Sequence, residues 1–162
     1  MPNYVYNRLQ IKCCAVDMAR IKRSSFTDEN FNFNKLIPQP LHIYTSDISS
    51  HDSNDFGEFT WYQWRVNNWG TKWNAGDNTN SFKEGIFTIK FTSAWTIPYP
   101  VIIAFANKFQ LDFVHEYIEE QPSFWGQEHW KGGKRISCEK DAPRILKKLS
   151  IELYGSELTI KE

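Results

Sequence analysis

EGIFTIKFTSAW (84–95), TIPYPVIIAFANKF (96–109) and LDFVHEYIEE (111–120) follow one another almost without interruption, and their reading decides the fold. In the first, Ile86, Thr88, Lys90 and Thr92 alternate with Phe87, Ile89 and Phe91, which is the period of a strand with one buried face. In the second, prolines precede a helix and enter its first turn, where the missing N–H is an orphan anyway. Ile102, Phe105, Ala106 and Phe109 then recur at helical spacing. The third segment alternates again. The run is strand, helix, strand.

Working outward, YVYNRLQIK (4–12) alternates Val5, Asn7, Leu9 and Ile11 with Tyr4, Tyr6, Arg8 and Gln10, a further strand. CAVDMARIKRS (14–24) reads as a short helix on Ala15, Met18 and Ala19. FNFNKLIP (31–38) reads as a second strand, with Phe31, Phe33 and Lys35 opposite Asn32, Asn34 and Leu36, halted by Pro38 and Pro40. The polar residues 41–56 form a loop. TKWNA (71–75) reads as a short strand and GDNTN (76–80) as a turn. FWGQEHWKGGKRIS (124–137) is a strand or hairpin with glycine irregularities. Asp141 opens a last helix with Pro143 in its first turn and Ile145, Leu146, Leu149 and Leu153 along one side; ELTIKE (157–162) adds an edge strand.

Two β-α-β halves around one sheet predict an α+β fold: a ferredoxin-like split βαβ sandwich, mainly antiparallel, with an inserted Trp-rich helix and a C-terminal helix. Residues 1–162 read as a single ferredoxin-like domain, with an insertion at about 41–75 and a C-terminal extension at about 138–162. Helices on one sheet face would leave the other open to a partner or to the inserted segment.

Nineteen basic residues balance nineteen acidic ones, for a formal charge of zero. That argues against a general electrostatic grip on duplex nucleic acid, which needs many phosphate contacts. KGGKR (131–135) and RILKK (144–148) are local basic strips that solvated surface charge explains. MPNYVYNRLQ lacks the apolar run of a signal peptide or membrane anchor, so no membrane partner is expected. Cys13, Cys14 and Cys138 show no C-x-x-C spacing and fit a reduced, cytoplasmic setting, as small core residues.

WYQWRVNNWGTKWNAG (61–76) concentrates four of the seven tryptophans among Arg65, Asn67, Asn68, Lys72 and Asn74. Asp55 and Glu58 form a capping pair and Gly70 occupies the position after a helix, so 55–70 reads as a helix. Phe59, Tyr62, Val66 and Trp69 fall on one of its faces, Trp61, Trp64 and Asn68 on another. Two readings stay open. The rings fill a core between layers, or Trp64, Trp69 and Trp73 stack on bases while Arg65, Asn68, Lys72 and Asn74 meet phosphates or base edges. Stacking supplies roughly 1–3 kcal/mol per base without a large basic field.

MPNYVYNRL, FNFNKLIPQP, WRVNNWGTKWNA, FTSAW with TIPYPVI, and YIEEQPSFWG together resemble the YubB-like ferredoxin-domain family of plasmids, phages and genomic islands, over about residues 1–130. The resemblance implies a ferredoxin-like fold and a mobile-element setting in a bacterial host. It brings no established activity. Within it the EEQPSFWG turn is a signature, and Trp125 with Gly126 would border the same surface as Trp69.

A second constellation is acidic: His115, Glu116, Glu119 and Glu120, then Glu128 and His129. On a strand His115, Tyr117 and Glu119 share one face and Glu116 and Glu120 the other, and no H-x-x-x-H or H-E-x-x-H spacing is present. His115, Glu119 and Glu120 are therefore secondary candidates, for a metal-assisted hydrolase, against the plainer reading of exposed strand charges. No cofactor or metal is expected. The leading expectation is a non-catalytic binding protein of a mobile element that engages single-stranded nucleic acid or a nucleotide through Trp64, Arg65, Asn68, Trp69, Lys72, Trp73, Asn74 and Trp125. The alternative is a protein–protein inhibitor of a host defence system, which an aromatic-rich surface also suits.

Overall fold

The computed structural model describes residues 2–43 and 60–156. In chain order these form β1 (Tyr4–Lys12), α1 (Ala15–Ser25), β2 (Phe26–Thr27), β3 (Asn30–Phe31), α2 (Phe33–Leu36), α3 (Trp61–Trp69), β4 (Gly76–Lys83), β5 (Ile86–Ala94), α4 (Tyr99–Phe109), β6 (Phe113–Glu119), β7 (Trp125–Lys131), β8 (Lys134–Lys140) and α5 (Pro143–Leu149), which continues into a π-helical turn, Ser150–Tyr154. The expected Asp55/Glu58 capping pair, most of the 41–56 loop and the ELTIKE strand lie outside the described residues.

Six strands make one sheet in the order β4-β5-β1-β6-β7-β8, with every neighbouring pair antiparallel. β1, α1, β4, β5, α4 and β6 are the six elements of a split βαβ sandwich, with β5 lying between β4 and β1. The α+β, ferredoxin-like expectation is met. The β7–β8 hairpin extends the sheet beyond β6. Turns at Asp28-Glu29, Glu84-Gly85 and Gly132-Gly133 have positive φ at both positions, the two-residue geometry whose twist matches the flanking strands.

Two segments differ from the sequence reading. FNFNKLIP is not a strand of the sheet. The Asn32 side chain accepts from the Asn34 N–H and caps the single turn α2, because a local side-chain acceptor competes with ladder pairing. GDNTN, expected as a turn, is the start of edge strand β4, with a bulge between Gly76 and Thr79, and TKWNA precedes it without being a strand. Asn78 accepts from Phe31 N–H and Asn80 donates to Glu29 O. Those asparagines fasten the small β2–β3 hairpin along β4.

Side chains alternate across the sheet. Leu9, Ile11, Phe87, Ile89, Phe91 and Phe113 point to the face covered by α1, α2 and α4 and join Ile21, Phe31, Phe33, Val101, Ile102, Phe105 and Phe109 in the main core. The opposite face is not wholly open. Ile118 and Trp125 pack there against Ile145, Leu146 and Leu149 of α5. Beneath α5, Arg8 pairs with Glu116 and Glu152, and Lys148 with Glu116. Half-buried Cys13 packs against the main core, as expected, whereas Cys14 and Cys138 are exposed and do not; none is disulfide-bonded.

Candidate functional site

Helix α3 lies on the helical side of the sheet, beside α4. Thr60 caps it by accepting from Gln63 N–H, and Gly70 ends it in the left-handed region at φ 77°. A Cβ on Gly70 would come 2.9 Å from Pro100 of α4. Thr71 then exchanges hydrogen bonds with Ala94, its hydroxyl donating to the carbonyl and accepting from the N–H. The tryptophan segment is thereby fixed to the end of β5.

The tryptophans divide by depth. Trp69 is a core residue, 1% exposed. It packs edge-on against Phe33 and Trp64 and donates its indole N–H to Ile37 O at 2.9 Å. Trp64 and Trp73 are half-buried. Trp125 is buried under α5, where its N–H donates to Ala142 O, so it does not border the surface near Trp69. The alternation of β7 sends Trp125 to one face and Gly126 to the other.

The cations in this region are held by rings. The Arg65 guanidinium lies 5.0 Å from the Trp61 ring centroid and 4.9 Å from that of Trp69, and Nε donates to Gln39 Oε1 at 2.9 Å. Burial lowers its pKa. No ion pair or further hydrogen bond reaches its two terminal nitrogens among the described residues. The Lys72 ammonium sits 5.7, 5.0 and 5.4 Å from Tyr62, Trp73 and Trp95. Trp95 is 44% exposed and has φ 64°, an unusual backbone for so bulky a residue. The ring faces expected to stack on a ligand are in part taken by the protein's own cations.

What remains accessible is a polar cleft of about 490 Å³ lined by Asn32, Asn34, Gln39, Arg65, Trp69 and Asn74, with Pro40 and Leu41. Asn74 is also structural: its Oδ1 accepts from Phe33 and Ala75 N–H, and its amide donates to Asn32. Asn68 donates to Trp64 O within α3 and stays outside the cleft. The structure therefore brings Arg65, Trp69 and Asn74 together, sets Trp73 and Lys72 in the neighbouring ring cluster, and removes Trp125. Asn32, Asn34 and Gln39 were missed. Their signal was the density of amides in FNFNKLIPQP, which alternation disguised as a strand.

The acidic candidates do not converge. His115 is buried on β6, Nδ1 3.3 Å from Glu128 Oε2 and Nε2 3.0 Å from Asn7 Oδ1. Glu119 accepts from Gln121 N–H, Ser123 N–H and the Ser123 hydroxyl, closing the EEQPS turn. Glu120 lies at the strand end, its N–H bonded to Tyr4 O. Glu128, which alternation also turns inward, accepts from Tyr99, Trp130 and Arg135 besides His115. Among the described residues no three His, Cys, Asp or Glu side chains meet in a way that could hold a metal.

Residues 68–144 match the model of a family described as the ferredoxin-like domain in Api92-like protein. Those residues are similar to an Api92-like ferredoxin domain. The Api92-like match opens on Asn68-Trp69-Gly70-Thr71-Lys72-Trp73, so the indole that seals the cleft floor and the lysine among three rings fall inside it. The crystal structure of the protein Api92 from Yersinia pseudotuberculosis superposes with a TM-score of 0.62 at 9% identity, over 88% of this chain and 99% of that one. At that identity the likeness to Api92 is one of fold. Comparison with functionally curated proteins gives no match. No helix of the described residues is long and apolar enough to cross a membrane.

Proposed function

We propose that this protein binds a nucleotide or a short stretch of single-stranded nucleic acid in the Arg65 cleft, without catalysing its conversion. One observation carries the reading: a half-buried guanidinium about 5 Å from the Trp61 and Trp69 rings, with no ion-pair partner among the described residues, lines an amide-rich cleft. Phosphate matches that fork bidentately. The side-chain N–H groups of Asn34 and Gln39 are donors of the kind with which base edges are read, while the Asn32 amide is engaged by Thr27, Asn34 and Asn74. Recognition then rests on hydrogen bonding more than on ring stacking. One charge-assisted contact with several amide bonds suits the zero net charge of the chain better than a duplex footprint does. The YubB-like resemblance adds a mobile-element setting in the bacterial cytoplasm to the same proposal.

The test is a titration with mononucleotides, dinucleotides and short single-stranded oligonucleotides, following tryptophan fluorescence. Because Trp61 and Trp69 flank Arg65, a bound phosphate changes their emission, and Arg65→Met abolishes the response. No response to any of these ligands up to about 1 mM, the limit of weak specific binding, overturns the reading.

A further inference from the structure

The sheet face that carries α5 is covered over only half its length. At the end remote from α5, the last residues of β1, the first of β5 and β6, and the middle of β8 surround a hollow of about 380 Å³, within the size range of small-ligand sites. Its floor is apolar: Ile86, Val114 and Ile136, with Phe113 and Trp130 of the main core completing the lining. Ile136 is 62% exposed, so its side chain is open to a bound guest. The rim carries Lys12 and Lys131, with Gln10, His129 and Asp112. Neither lysine has an ion-pair partner among the described residues. Two ammonium groups against the single Asp112 carboxylate leave the rim positive.

We propose that this hollow is a second binding site, separate from the Arg65 cleft, for a small amphiphilic anion: an aliphatic or aromatic body on Ile86, Val114 and Ile136, with a carboxylate or similar head held at the rim by the Lys12 or Lys131 ammonium group. Charge complementarity chooses the head. An uncharged apolar guest leaves both ammonium groups unanswered, and a cation meets them in repulsion. The concave shape chooses a single small molecule over an extended surface. The hollow needs no rearrangement to form, because its walls are strand residues fixed by the β1–β6 and β6–β7 ladders.

The probe is octanoate, with octanamide as its uncharged isostere, added to the uniformly ¹⁵N-labelled full chain while amide chemical shifts are followed. Octanoate is expected to shift the amides of Gln10, Lys12, Ile86, Val114, His129 and Ile136 in a saturable way. Octanamide is expected to bind at least about tenfold more weakly, and Lys12→Met with Lys131→Met together to cost octanoate a similar factor. Both lysines are exposed, so folding is unaffected. Ile136→Asp, which sets a negative charge on the floor, is expected to remove octanoate binding and to leave nucleotide binding at Arg65 unchanged. Equal binding of octanoate and octanamide, shifts centred on the Arg65 cleft, or no shift at several millimolar octanoate overturns the proposal.

Discussion

His115 of β6 and Glu128 of β7 face each other across one rung of the sheet, both fully buried, with imidazole Nδ1 3.3 Å from carboxylate Oε2. Burial alone pushes the Glu128 carboxyl up. Hydrogen bonds from His115, Tyr99 and Trp130 outweigh it and hold the group down at about 2. The folded value lies below the ordinary 4.5, so the carboxylate stabilises the fold above that pH, and the contribution disappears as pH falls from 4.5 towards 2. Urea unfolding at a series of acid pH values will show a falling midpoint across that interval. Glu128→Gln will flatten the fall and, at pH 7, lower stability by about 3 kcal/mol, since the donors around it lose a charged acceptor.

Gly126 lies beside Tyr117 on the same face of the sheet, and an added Cβ would meet the Tyr117 ring carbon Cζ at 2.7 Å and the Glu139 carbonyl at 2.8 Å. A backbone atom and a ring packed in the core cannot both give way. Gly126→Ala is expected to destabilise by about 2–4 kcal/mol in chemical denaturation. Gly132→Ala is the contrast: nothing lies within 4 Å of its Cβ, and only the positive φ opposes it, for about 1 kcal/mol.

Depth separates the tryptophans of 61–95. Trp69→Ala empties a core position and leaves the Ile37 carbonyl without its donor, and is expected to cost about 3–5 kcal/mol. Trp95→Ala, at an exposed ring, is expected to change stability by less than about 1 kcal/mol while freeing the Lys72 ammonium from one of its three rings. Thermal unfolding of the two variants side by side checks the ordering.

Asn74 joins the segment at 32–34 to the segment that leads into β4. Asn74→Ala leaves the Phe33 and Ala75 N–H groups without their acceptor and is expected to cost about 1–3 kcal/mol. Asn74→Asp keeps the acceptor and loses only the donation to Asn32, so its cost will be smaller. The same denaturation measurement distinguishes them.

The segments that were legible in the sequence are those where burial sets one clear period. Leu9 and Ile11, Phe87 to Phe91, and Ile102 to Phe109 announced their strands and helix because each buries a single face. The FNFN and GDNTN stretches misled because asparagine does different work in each. Asn32 caps a turn, whereas Asn78 and Asn80 reach sideways from an edge strand to hold a hairpin. Trp69 and Trp73, four residues apart, could not be sorted into core and surface from spacing, because α3 ends between them at Gly70. The Glu128 network was illegible for another reason: Asn7, Tyr99, His115 and Arg135 come from four different elements, and only the register of β1, β6, β7 and β8 brings them together.

Binding at the Arg65 cleft is tested by following the Arg65 Nε–H and the Gln39 side-chain amide by heteronuclear NMR while a dinucleotide is added. The structure joins these two groups by a 2.9 Å hydrogen bond at the cleft. Saturable shifts of both signals, together with the amides of Asn32 and Asn74 and absent in Arg65→Met, are expected. A dinucleotide that leaves all four unmoved, or that shifts only residues elsewhere on the sheet, contradicts it.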